Sequence, residues 1–328
     1  MKFKSACLVF AVAFSAVSGP IAAQEPVSAY PSKNIMIVVP LAAGGAGGAE
    51  AILYCQSLSQ NLGRPCQVDY RPGAGTTLGT TYVVKSKPDG YTLIASSPSL
   101  TIAPAFYNDL PYDVTHDLTP ITQMSQRATV VVVSPSFPAN NIPEFVAYMK
   151  ANPGKVNWGS AGGSGSMLHL LGAWLQDVTN TKMTIIQYKG SGEMNTDLIS
   201  GRIDATAFTF ISATPLLKAG KIRAIGLSSA KRSPLLPDMR TVQEQGVPDF
   251  EYPSWLSILA PARMDPALQA KLHAEFVKVA LSSEVRKVME PTGTSMVAGS
   301  SADLSKLLVS EIARWKKITK TANIKLEE

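Results

Sequence analysis

The chain has 328 residues, 45% of them apolar and 16% charged, with a formal net charge of +6. That length allows two domains with real cores, and the composition excludes a disordered chain. The basic excess is thin and scattered, with no basic run longer than Lys316-Lys317, which argues against a nucleic-acid surface.

Lys2 and Lys4 precede an apolar run over 6–17, and small residues end at Ala22-Ala23 before Gln24. This is the pattern of a cleaved secretory leader over 1–23. The run falls short of the roughly 20 residues that span a bilayer, and no later segment qualifies. The mature chain is therefore expected to be exported and soluble.

Ile35-Met-Ile-Val-Val39 is a short apolar run ending at a glycine turn, which predicts a buried parallel strand. A helix is predicted over 50–62, stopped by Gly63 and Pro65, then strands over 66–70 and 91–95. A polar stretch over 123–127 leads to the apolar strand 129–133. From there the pattern predicts helices over 142–150, 167–177 and 193–200, alternating with strands over 156–159, 184–187, 204–210 and 222–227. Residues 256–260 read as a return crossing. Two helices then close the chain, the first opened by Asp265-Pro266 as N-cap and first helical residue. Leu268, Leu272, Phe276 and Val279 line one face of it, and Leu304, Leu308, Ile312 and Trp315 line one face of the last. The alternation predicts parallel sheets with helices on both faces, in two units that a hinge can close.

Three turns stand out: 40–48, 160–166 and 188–192, each rich in glycine or serine and each leading from a strand into a helix. A helix N-terminus offers free N–H donors and partial positive charge, glycine permits close approach, and serine adds a hydroxyl. The chain is thus expected to hold a small anion between several helix ends. The same residues also admit plainer roles: flexible turns for the glycines, helix capping for the serines, a solvated charge for Lys189.

Cys7 leaves with the leader. Cys55 and Cys66 remain, an even pair in an oxidising compartment, either disulfide-bonded or two buried thiols. His116, His169 and His273 lack ligand spacing, so no metal and no cofactor are expected. A dinucleotide fingerprint fails because its third glycine position is Glu50. Gly-x-Ser-x-Gly fails at Ser166, and no Walker loop exists. An exported α/β enzyme is the alternative these failures set aside.

Several segments in order resemble the TctC/Bug family, the periplasmic solute-binding proteins of tripartite tricarboxylate transporters. They include 30–35, 39–45, Arg71-Pro-Gly-Ala-Gly75, Pro88-Asp-Gly-Tyr91, Tyr188-Lys-Gly-Ser191, 218–221 with 229–233, Ser254-Trp255 and Ile312-Ala-Arg-Trp315. The resemblance implies an α/β two-domain periplasmic binding protein clamp with mixed, mostly parallel sheets. It implies a small carboxylate as ligand, integral membrane subunits of a transporter as partners, and a monomer. The domains expected are 24–126 plus 253–328, and 127–252. Relatives often carry threonine and aspartate where Gly47 and Gly48 stand, which shifts the expected contacts to backbone. The aspartate that meets an amino group in some relatives aligns with Phe208, which favours an aromatic carboxylate or an unaminated dicarboxylate over amino acids. The candidate ligand-binding set is Ala43, Gly44, Gly45, Gly47, Gly48, Ser97, Ser164, Gly165, Ser166, Met167, Tyr188, Lys189 and Phe208.

Overall fold

The structure, a computed structural model, describes residues 25–324 except 44–45, 108, 162–164, 189, 249 and 253. The expected leader lies outside these residues. In chain order the elements begin with β1 (Ile35–Val39), α1 (Ala46–Leu62), β2 (Cys66–Tyr70), α2 (Thr77–Val84), β3 (Thr92–Ser96) and α3 (Ser99–Phe106). They continue with β4 (Leu118–Arg127), β5 (Thr129–Val133), α4 (Ile142–Ala151), β6 (Asn157–Ala161), α5 (Met167–Thr179), β7 (Thr184–Tyr188) and α6 (Ser191–Ser200). The rest are β8 (Ala205–Thr209), α7 (Phe210–Lys218), β9 (Arg223–Leu227), β10 (Ser254–Pro261), α8 (Pro266–Leu281), α9 (Ser283–Met289), β11 (Thr294–Met296) and α10 (Ser301–Thr321).

Two sheets result, ordered β11-β4-β10-β3-β1-β2 and β7-β6-β8-β5-β9. Pairing is parallel at β2-β1-β3 and at β7-β6-β8, as the strand–helix alternation requires. It is antiparallel on the other side of each sheet, so the expected predominance of parallel strands gives way to an even mixture. The cause is the crossing: β4, β5 and β10 carry the chain between sheets and cannot follow a helical crossover. Three expectations change besides. α1 begins at Ala46 instead of Glu50, Phe210 opens a helix instead of ending a strand, and three helices close the chain instead of two.

Helices cover both faces of each sheet. Tyr54, Leu58, Leu272, Phe276 and Val285 pack with Ile35, Ile37 and Val39 on one face of the first sheet. Leu304 and Leu308 of α10 pack with Val38, Ile94 and Leu259 on the other. Cys55 and Cys66 are disulfide-bonded, with Cα atoms 5.1 Å apart, which ties α1 to β2. Closing so short a loop removes about 3 kcal/mol of unfolded-state entropy in the chain-entropy picture.

The chain leaves the first sheet at Arg127 and enters the second at Thr129. Ser228 Oγ accepts the Thr129 N–H at 3.0 Å and donates to the Tyr252 carbonyl at 2.9 Å, so the outgoing and returning segments are laced together. A second tie is aromatic. α10 passes beyond its own sheet and places Trp315 and Ile318 in the core cluster of the second. Trp315 meets Trp174 edge-on at 5.9 Å and Tyr252 at 5.2 Å between ring centres, and Trp174 stacks on Phe250 at 4.7 Å.

Candidate functional site

Strand direction decides where the helix ends gather. β10 runs antiparallel to both β3 and β4, so β3 and β4 point the same way. β5 opens opposite Thr209, the last residue of β8. The carboxyl ends of β1, β2 and β3 therefore lie on the edge where the chain leaves the first sheet. Those of β6, β7 and β8 lie on the edge where it enters the second. Both edges meet at the crossing, the place where ligands bind in open α/β sheets.

The helices that start on these edges differ from the others in their first turn. α2, α3, α6 and α7 have no side-chain cap. α4, α8 and α10, which start on the opposite edges, are capped by Asn141, Asp265 and Ser300. The uncapped starts of α6 and α7 leave N–H donors for water or an anion, whereas backbone carbonyls take the Thr77 and Leu78 N–H groups of α2 and the Leu100 and Thr101 N–H groups of α3. α5 is the exception on the edges. Ser166 Oγ accepts the His169 N–H at 3.4 Å and meets the buried Ser160 hydroxyl at 3.0 Å. One hydroxyl proton of this pair is left for an acceptor, since each oxygen needs only one donor from the other.

The candidates in the first loop separate by cause. Ala43 is exposed between β1 and α1, while Gly44 and Gly45 lie outside the described residues. Gly47 and Gly48 belong to the first turn of α1. A Cβ on Gly47 would meet Leu256 at an ordinary 3.6 Å, but one on Gly48 would stand 2.7 Å from the Tyr70 ring. Gly48 is thus explained by packing, without a ligand. Ser97 lies between β3 and α3, its carbonyl accepting the Leu100 N–H at 3.0 Å.

In the second loop Ser164 lies outside the described residues. Gly165 has φ +77°, which favours glycine, and turns the chain into Ser166. The Gly165 N–H and the Gln187 side-chain amide both face His169 Nδ1 at 3.1 Å, so this nitrogen is an acceptor holding the turn. Met167, half-buried, packs on the core beneath.

The third turn is partly occupied from within. Tyr188 donates to Asp197 at 2.8 Å, and Asp197 also takes Arg202 at 3.0 Å. Burial and the Asp197 carboxylate push the Tyr188 hydroxyl up to about 12, so it stays a donor committed to α6. Lys189 lies outside the described residues. Gly190 opens α6 with no side chain to cap it. Phe208 is 6% exposed and packs in the cluster of Val130, Met194, Leu198 and Phe210.

Two features escaped the sequence. The alternation assigns a strand to the start of α7, where the Thr209 and Ser212 hydroxyls meet at 3.2 Å. A polar residue followed three later by another is the signal that marks it. The other is Glu50, buried at 2% exposure one turn into α1, where it takes Tyr54, Ser125 and Arg127.

No described helix is long and apolar enough to cross a membrane. A family model described as the tripartite tricarboxylate transporter family receptor matches residues 53–324. Protein BugT of Bordetella pertussis is 30% identical over 316 residues, 96% of each chain. Among solved structures, R. palustris Rpa4515 with adipate is 30% identical at a TM-score of 0.73, covering 90% of this chain and 99% of its own. MatC from Rhodopseudomonas palustris with bound malate is 28% identical at a TM-score of 0.70, covering 88% and 99%.

Proposed function

The chain belongs to the tripartite tricarboxylate transporter family of receptors, and from that premise we propose that it closes two lobes on a small carboxylate outside the cytoplasm. The lobes are 24–126 plus 253–328, and 127–252, after removal of the leader 1–23. The receptor works as a periplasmic monomer that presents cargo to the integral membrane subunits, and it performs no turnover.

The observation that carries this reading is the distribution of helix caps. Donors remain free at the starts of α6 and α7, on the second sheet's edge at the crossing, and side chains take them at the starts of α4, α8 and α10. A carboxylate held by amides, Ser166 and water is bound without a buried ion pair. Such an anion is released on opening, as a transport receptor requires. Ligand that bridges both edges favours the closed population.

Adipate and malate, found with two solved relatives, are aliphatic dicarboxylates without an amino group. The aromatic alternative rested on Phe208, whose ring is in the core. An unaminated dicarboxylate is therefore the favoured cargo. A thermal-shift series across dicarboxylates, tricarboxylates, aromatic acids and amino acids tests it. A specific ligand at 100 times its Kd should add about 2.7 kcal/mol of stability. Tighter binding of an amino acid than of its unaminated analogue would overturn the cargo assignment. A response to nicotinamide cofactor alone would overturn the receptor reading.

A further inference from the structure

A cavity of about 290 Å³ opens beside the crossing at Ala128. Both halves of the molecule wall it. Arg127 and Ser295 come from β4 and β11, and Ser229, Lys231, Arg232 and Ser233 come from the segment after β9. No carboxylate lines it.

The charges there are unevenly matched. Arg127 pairs with Glu50 through Nη2, yet its Nε is buried and donates to nothing. A buried donor without a partner is costly, and more so on a charged group. Arg232 pairs with Glu244 at 2.9 Å, and Lys231 has no ion pair among the described residues. Ser233 Oγ accepts the Leu235 N–H, which leaves its own proton to donate. The cavity therefore presents two unused donors and one positive charge without an ion pair among the described residues, beside the Arg232–Glu244 pair.

We propose that this junction is a second anion site, taking a small tetrahedral oxyanion such as phosphate or sulfate, separate from the cargo edges. Arg127 Nε and the Ser233 hydroxyl donate to it, and Lys231 supplies charge. Because its walls belong to both halves, the anion favours the arrangement that brings them together. Arg127 also reaches Glu50 on α1, the helix that begins at the first candidate loop. Oxyanion and cargo are thereby coupled, and each raises the affinity for the other by the same factor.

The test is calorimetric titration of inorganic phosphate into the cargo-free mature protein, with chloride balancing ionic strength. The wild type should bind. Lys231→Gln, an exposed substitution, should weaken phosphate about fivefold, and Ser166→Ala should leave it unchanged. Phosphate binding equal in wild type and Lys231→Gln would overturn the site. Loss of phosphate binding in Ser166→Ala would place the anion on the cargo edge instead and overturn it too. A wild type that binds dicarboxylate but no phosphate defeats this site and leaves the receptor reading standing. Phosphate binding without any carboxylate binding does the reverse.

Discussion

Helix starts on the two edges at the crossing and helix starts elsewhere obey different rules in the same chain. Asp265 receives two backbone N–H groups at the start of α8, and at the start of α4 Asn141 accepts the Glu144 N–H while Glu144 accepts the Asn140 N–H. Each such cap is worth about 1 kcal/mol. Gly190 and Pro98, at the corresponding position of α6 and α3, have no side chain able to do this. The difference is one of use. On the proposed reading, side chains close the helix ends that only have to be stable, and the donors at the start of α6 stay open for the anion.

The largest expected effect comes from erasing that difference. Gly190→Asp places a carboxylate at the start of α6, where the backbone is extended and no atom lies within 4 Å of the new Cβ. It should stabilise the protein by a few tenths of a kcal/mol. It should also weaken carboxylate binding by about 3 kcal/mol, through like-charge repulsion and occupied donors. Denaturant unfolding and calorimetry measure the two, and the opposite signs are the point. If affinity is unchanged, α6 does not face the cargo.

Ser166→Ala comes next. It removes the one capping hydroxyl on these edges and should reduce affinity by about 1–3 kcal/mol if the hydroxyl donates to a carboxylate. A loss of stability with affinity intact would make Ser166 a cap like the others. The smallest effect is the control. Asp265→Ala should lower stability by about 1 kcal/mol and leave the calorimetric Kd alone. A change in Kd would mean that capping at the far edges also reaches the cargo.

Much of this was legible in the residues. β1, β2 and β5 follow their apolar runs, and α8 starts at Asp265-Pro266 where the N-cap rule places it. What hid was structure supported from a distance. β4 reads as polar because Thr122 and Ser125 are fully buried, and their partners, the Gly299 carbonyl and Glu50, come from remote segments. α3 and α7 carry Pro104 and Pro215 inside them, which local propensity counts as breaks. Both helices are short enough that the lost hydrogen bond leaves most of each intact. Glu50 was visible only as a helix residue, since nothing nearby announces that Arg127 will meet it.

The placement of Trp315 bears on the order of folding. Strands and helices of the second sheet lie within 129–227, so a chain emerging from its amino end could assemble them early. Their core is incomplete without Trp315 and Ile318, close to the carboxyl end. A growing chain therefore holds the Trp174 surface uncovered until Trp315, on the last helix of the first sheet's layer, has been delivered.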